Sequence, residues 1–226
     1  MPLAIFDLDH TLLAGDSDYA WGQFLAERNI VDAVSYEQQN RRYYEQYCAG
    51  TLDIHEFLAF SLAPLRRYDR AVLDAWHREY YQEKIVPMIR PAARALVERH
   101  RRQGHTLVVI TATNSFIVKP IVAAFGISHL LATEPEFHEG RFTGRVVGAP
   151  CFREGKVARL HAWLAEQGLD LKDSWFYSDS HNDLPLLREV THPVAVNPDE
   201  LLRGHAERHG WPILDLNQDL PESNPR

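Results

Sequence analysis

Two aspartates stand two residues apart in Asp7-Leu8-Asp9-His10-Thr11-Leu12, directly after the apolar run Leu3-Ala4-Ile5-Phe6. Carboxylates so placed can share a metal, attack an electrophile, or exchange a proton as acid and base. A second acidic group, Asp179-Ser180-His181-Asn182-Asp183, follows the apolar run Trp175-Phe176-Tyr177-Ser178. Each segment alone reads equally well as a capping or Asx-turn loop. Gathered in one place, four carboxylates repel one another by several kcal/mol per close pair at an effective dielectric of about 20, so stability alone would not collect them. A hard cation would. An all-oxygen set without His or Cys ligand spacing points to Mg²⁺, which keeps some of its waters and leaves room for a phosphate oxygen.

A phosphate dianion also needs a hydroxyl and a positive charge. Thr111, at the end of Thr106-Leu107-Val108-Val109-Ile110, offers the first, and Lys156 in Arg153-Glu154-Gly155-Lys156 offers the second at an expected helix start. Singly, these are an ordinary strand-end cap and an ordinary surface lysine.

The elements that must position these groups are short apolar runs stopping abruptly at polar residues, the pattern of buried parallel strands. They are Leu3–Phe6, Thr106–Ile110, Trp175–Ser178 and Pro193–Asn197, with helical spacing between them at Ala92–Arg102, Phe116–Phe125 and Val157–Gln167. The alternation predicts an α/β fold with a doubly wound, Rossmann-like parallel sheet, whose carboxyl edge is where such sheets bind ligands. Residues 15–89 differ, carrying apolar residues at helical spacing (Trp21, Phe24 and Leu25; Phe57 and Leu58; Leu73, Trp76 and Tyr80) and no buried strand. They are expected to form a helical cap domain inserted after the first strand, leaving 1–14 and 90–226 as the α/β core. Of the chain's 24 aromatic residues, 13 fall in this insertion, either enclosing a substrate or filling a helical core. Glu136–Val147, with Gly140 at its turn, predicts a small β-hairpin accessory, and the polar run from Asp215 onward a frayed end.

With 24 basic against 31 acidic residues and a net charge of −7, the chain lacks the basic tract that nucleic acid or an anionic membrane surface requires. No apolar run reaches the roughly 18 residues of a membrane span, and the expectation is a cytoplasmic protein. Cys48 and Cys151 lie outside any Cys-x-x-Cys or zinc spacing and are expected as two buried free thiols. The composition carries no signal for oligomeric state.

The ordered set DLDHT at 7–11, ITAT at 110–113, REGK at 153–156 and SDSHND at 178–183 closely resembles the haloacid dehalogenase superfamily of phosphohydrolases. The resemblance spans essentially the whole chain, and the place of the insertion is similar to the phosphoserine-phosphatase-like branch, which includes histidinol-phosphate phosphatases. It implies that Asp7 is the nucleophile forming an aspartyl-phosphate and that Asp9 is the general acid and base. It further implies that Mg²⁺ is held by Asp7, the Asp9 carbonyl and Asp179, with Asp183 acting directly or through water. Thr111 and Lys156 would hold the phosphoryl oxygens, Asn182 would orient the phosphate-side shell, and Asp16 falls where that branch holds a substrate amine.

The loops depart from phosphoserine phosphatases at Thr111-Ala112-Thr113 and Ser178-Asp179-Ser180, and the arginine that holds a substrate carboxylate there aligns near Leu52, without an Arg nearby in sequence. Arg41, Arg42, Arg66 or Arg67 could supply it from another helix. The implied partner is therefore a small amine-bearing phosphate ester, histidinol phosphate ahead of phosphoserine, whose imidazole could stack on cap aromatics or meet Asp18, Glu45 or Glu56. Alternatives are a phosphoserine phosphatase, a phosphomutase or phosphotransferase of the same fold, and, from a different class, a phospho-accepting signalling receiver.

Overall fold

Strand β1 (Leu3–Phe6) occupies the centre of a seven-stranded sheet, between β2 (Thr106–Asn114) and β5 (Trp175–Ser178), both parallel to it. The computed structural model describes residues 2–217. All of β1 is buried because both faces of the sheet are covered, which is why the strand reads as an unbroken apolar run. Ala4 and Phe6 face one apolar cluster, and Leu3 and Ile5 face the other.

From β2 the sheet continues to β3 (His129–His138) and β4 (Arg141–Val147), and from β5 to β6 (His192–Val196) and β7 (Ile213–Leu214). The order β4-β3-β2-β1-β5-β6-β7 reverses its winding at β1, so a crevice opens at the carboxyl ends of β1, β2 and β5. Helices α6 (Pro91–Arg102) and α7 (Ser115–Ala124) pack on one face; α8 (Glu154–Gln167), α9 (Leu184–Leu187) and α10 (Glu200–His209) pack on the other. This is the α/β doubly wound class that the alternation predicts.

Between β1 and α6 run α1 (Ser17–Glu27), α2 (Ala33–Cys48), α3 (Ile54–Ser61), α4 (Ala63–Arg67) and α5 (Arg70–Tyr80). Asp16, Asp32 and Asp53 each accept a backbone N–H at the starts of α1, α2 and α3, as N-caps do. The chain leaves and re-enters the sheet along paired crossings, where Leu13 bridges Ile89 and the Ala14 amide donates to the Met88 carbonyl at 2.8 Å. Trp21, Phe24, Leu73 and Tyr80 belong to the same apolar cluster as Phe6, Val109 and Phe116, so α1 and α5 share the core of the sheet. Helix α2 contrasts with them, since its one buried residue is Asn40.

Several expectations are refined. The hairpin is continuous with the main sheet, because the start of β3 pairs in parallel with β2 through Val108 and His129 before turning back into β4. The run from Asp215, expected to fray, is anchored at its start: it follows edge strand β7, Leu216 is buried, and the Leu216 amide donates to Asn197 Oδ1 at 3.0 Å. The remainder of that run, 218–226, lies outside the described residues. Cys151 is buried as expected, but Cys48, near the end of the exposed α2, is exposed; both thiols are free.

Candidate active site

Asp7 extends β1 by one residue, its amide donating to the Tyr177 carbonyl of β5 at 2.9 Å, which carries its side chain to the crevice. There Lys156 Nζ donates to Asp7 Oδ1 and to Asp183 Oδ2, each at 2.8 Å, from a site where the lysine is only 3% exposed. Ser178 Oγ also donates to Asp183 Oδ2, at 2.7 Å. Burial pushes the Asp7 carboxyl up, with Lys156 pulling against it and Asp183 and Asp9 adding to the rise. Burial opposes the charge on Lys156, but Asp183 and Asp7 more than offset it and keep the ammonium protonated.

The lysine is delivered by a tight entry into α8. Arg153 adopts φ 50°, ψ −120°, a conformation rare for a residue with a side chain. A Cβ on Gly155 would stand 2.1 Å from the Pro150 carbonyl oxygen, so only glycine fits that turn.

Asp9 is gripped from two sides: the Ser17 amide at the start of α1 donates to Oδ1 at 2.7 Å, and Thr113 Oγ1 donates to Oδ2 at 2.8 Å. The loop that presents it turns through His10, at φ 55°, whose carbonyl accepts from Arg90 at 2.9 Å. Thr11 Oγ1 donates to Asp179 Oδ1 at 2.9 Å. Burial, then the neighbouring Asp7 charge, push Asp179 well above the usual carboxylate range.

The donors suit a hard cation. Lys156 pairs with both Asp7 and Asp183, one positive charge shared by two carboxylates, while Asp179 accepts from a hydroxyl and, among the described residues, has no cation in hydrogen-bond contact. That leaves more acidic groups than cations at Asp7 and Asp179, where burial and neighbouring carboxylates raise both carboxyls. Among the described residues no group of three or more His, Cys, Asp or Glu side chains forms a ready metal cage. Two carboxylates and a carbonyl are nevertheless what Mg²⁺ needs, because it usually keeps several waters and takes few protein ligands. Asp183 is engaged by Lys156 and Ser178, which makes it a partner of the lysine.

Asp7, Asp9, Thr111 and Lys156 line one pocket with Asp16. Its opposite wall comes from the insertion: Asp18, Tyr19, Asn40, Tyr43, Tyr44 and Leu52. Burial, with Asp9 adding to it, pushes Asp16 up to about 6. Among the described lining residues Lys156 is the sole Lys or Arg. None of the four candidate arginines lines it: Arg41 pairs with Glu37, Arg42 lies over Tyr43, Arg66 packs on Gly144 and Arg67 lies near Tyr68. Glu45 and Glu56 are exposed and also stand outside the lining.

Asn182 is placed differently from the expectation. Its amide donates to the Tyr47 carbonyl at 3.1 Å and accepts from Arg153 Nε at 3.0 Å, so it joins the core to the end of α2 and does not line the pocket. Arg153 strengthens this junction by donating to the Gly50 carbonyl. Sequence reasoning missed Arg153 and Thr113. The period-two spacing of Thr111 and Thr113 on one strand was an available signal for the second; nothing local marked the first.

Comparison with known proteins agrees with this geometry. The sequence profile of the haloacid dehalogenase-like hydrolases matches residues 4–188. The chain belongs to that family. It is a phosphoric monoester hydrolase, an activity that several of its relatives carry in their names. A histidinol-phosphatase from Neisseria meningitidis serogroup C (strain 8013) is 49% identical over 218 residues, covering 95% of this chain and 98% of that protein. A phosphoserine phosphatase from Mycobacterium tuberculosis (strain ATCC 25618 / H37Rv) is 33% identical over 216 residues, covering 94% of this chain and 70% of that protein. Among solved structures, a protein of unknown function from Bordetella pertussis Tohama I superposes with a TM-score of 0.90 at 46% identity, covering 95% of this chain and 98% of that one. A substrate-bound phosphoserine phosphatase shares the fold, with a TM-score of 0.70 at 18% identity over 96% of this chain and 95% of that one. No helix among the described residues is long and apolar enough to cross a membrane.

Proposed function

We propose that this hydrolase is a Mg²⁺-dependent phosphomonoesterase acting through an aspartyl-phosphate, with histidinol phosphate preferred over phosphoserine. One observation carries the substrate choice: beyond the phosphate end, the pocket offers Asp16, Asp18 and aromatic rings, and no Arg or Lys. Enclosing the carboxylate of phosphoserine there would leave a buried negative charge beside other negative charges. Histidinol phosphate has an amine and an imidazole but no carboxylate. The name of the Neisseria relative supports the same choice.

Asp7 Oδ1 is held by Lys156, which leaves the other oxygen to attack phosphorus as the ester P–O bond breaks. Asp9, fixed by Ser17 and Thr113, gives its proton to the departing alkoxide. It then takes a proton from water as that water displaces phosphate from Asp7, returning both aspartates to their starting state. Thr111 and Lys156 hold the phosphoryl oxygens, and Asp183 holds Lys156. Asp7, Asp179 and the Asp9 carbonyl would hold Mg²⁺, which would supply charge neutralisation for the phosphoryl group. Residues 15–89 act as the cap that screens this chemistry from bulk water and reads the alcohol.

Phosphate release measured across a panel of esters, before and after exhaustive chelation and Mg²⁺ return, tests this reading. Expected is loss on chelation, recovery with Mg²⁺, and a higher kcat/KM for histidinol phosphate. Equal values, or a preference for phosphoserine, would overturn the substrate choice; full activity without metal would overturn the Mg²⁺ assignment. Net transfer of phosphate to a second alcohol, in place of release, would favour a phosphotransferase.

A further inference from the structure

Asp18 is a buried acid that the catalytic steps leave unused. It lies in the first turn of α1, is 8% exposed, and lines the same pocket as Asp16, Tyr19, Asn40 and Tyr44. Its Oδ2 is buried and has no hydrogen-bond partner among the described residues. An orphaned buried carboxylate oxygen costs on the order of 1–3 kcal/mol or more, and among the unpaired buried side-chain atoms of the described residues this is the carboxylate one. Helix capping does not account for it, because Asp16 already accepts the Tyr19 amide at 2.8 Å as the N-cap of α1. The residue therefore has unmet hydrogen-bonding capacity in the wall of a pocket whose occupant brings its own polar groups.

We propose that Asp18 is a specificity-determining residue that accepts a hydrogen bond from the second nitrogen-bearing group of the leaving alcohol, its imidazole N–H, while Asp16 pairs with the amine. The two carboxylates sit two residues apart at one helix start, and Tyr43, Tyr44 and Phe57 supply ring faces on the same pocket for a planar heterocycle. A substrate with an amine alone would satisfy Asp16 and leave Asp18 orphaned. A site whose buried acceptor goes unpaired discriminates against such a substrate more strongly than one that merely lacks an apolar contact. The assignment rests on the histidinol phosphate reading above and adds which residue reads the ring.

Asp18→Asn keeps the side-chain size and replaces one carboxyl oxygen with an amide nitrogen that cannot accept. The test compares kcat and KM of wild type, Asp18→Asn and Asp16→Asn on histidinol phosphate, phosphoethanolamine, which has the amine but no ring, and p-nitrophenyl phosphate, which has neither. Expected for Asp18→Asn is a fall of at least 10-fold in the ratio of kcat/KM for histidinol phosphate to that for phosphoethanolamine, chiefly through KM, together with a raised Tm of the ligand-free protein. Asp16→Asn should depress both amine substrates relative to p-nitrophenyl phosphate. An unchanged ratio in a folded Asp18→Asn variant, or a uniform loss on all three esters, overturns the proposal by itself. A wild-type enzyme inert towards histidinol phosphate overturns the earlier substrate reading, and this one with it.

Discussion

Adding one methyl group at Gly155 should disable the enzyme without touching a reactive atom. The Cβ of Gly155→Ala would lie 2.1 Å from the Pro150 carbonyl oxygen, whereas ordinary contact begins at 3.4 Å, so the backbone must move by about 1.3 Å. The obstacle is itself backbone, held by the Phe152 amide at 2.9 Å, and cannot swing aside as a side-chain tip would. Lys156, the next residue, bridges Asp7 and Asp183 at 2.8 Å each, and a displacement of that size takes at least one of these contacts beyond hydrogen-bond range. Misplacing a catalytic group by about 1 Å costs on the order of 100-fold in rate, and forced overpacking costs about 1–3 kcal/mol in stability. Steady-state kcat on p-nitrophenyl phosphate and a urea melt measure both. A folded Gly155→Ala enzyme with kcat within a factor of two of wild type would refute the claim that this turn positions the lysine.

Gly204→Ala, in the middle of α10 with nothing within 4 Å of the new Cβ, is the matched control and should stabilise the protein by about 0.5–1 kcal/mol in the same melt. Asp7→Asn should reduce turnover by about 10⁴-fold or more, because an amide cannot attack phosphorus; single-turnover phosphate release, with circular dichroism to confirm folding, checks this. Acid should weaken the fold through His100, which is buried between Tyr177 at 2.7 Å and His105 at 2.8 Å and whose ring burial drives down to about 3. Its folded value lies below its unfolded value of about 6.5, so the unfolded chain binds the extra proton and stability falls as pH drops through that window, by about 2 kcal/mol at pH 5. His100→Phe should flatten this part of the stability-pH curve, and an unaltered slope would exclude His100 as its source.

The insertion illustrates how pattern and packing divide the information. Its helical character is legible in spacing, since Trp21, Phe24, Leu73 and Tyr80 recur on one face of their helices. Spacing does not say what that face meets. The structure resolves the two readings of the aromatic-rich segment residue by residue: Trp21, Phe24 and Tyr80 fill the shared core, while Tyr19, Tyr43 and Tyr44 line the pocket. It also separates α1 and α5, seated in the core of the sheet, from α2, which packs on α1 through Asn40 and Tyr44 and reaches the core through Tyr47, beside Phe152 and bonded to Asn182.

By itself the sequence determined the doubly wound sheet and the residue types at its carboxyl edge. A strand buried on both faces must be apolar throughout, and the polar residue that ends it must emerge at the rim. Asp7, Thr111 and Asp179 were therefore readable from local pattern. Only tertiary structure decided how these groups are divided among partners. Lys156 lies 149 residues from Asp7 in sequence and could neutralise any nearby acid, yet it bridges Asp7 and Asp183 and leaves Asp179 to Thr11. The missing arginine was likewise a spatial question, answered by where Arg41, Arg42, Arg66 and Arg67 pack. Hydrogen bonds and desolvation act over a few ångströms in space whatever the separation along the chain, so a one-dimensional pattern names the groups and the packed chain assigns them to one another.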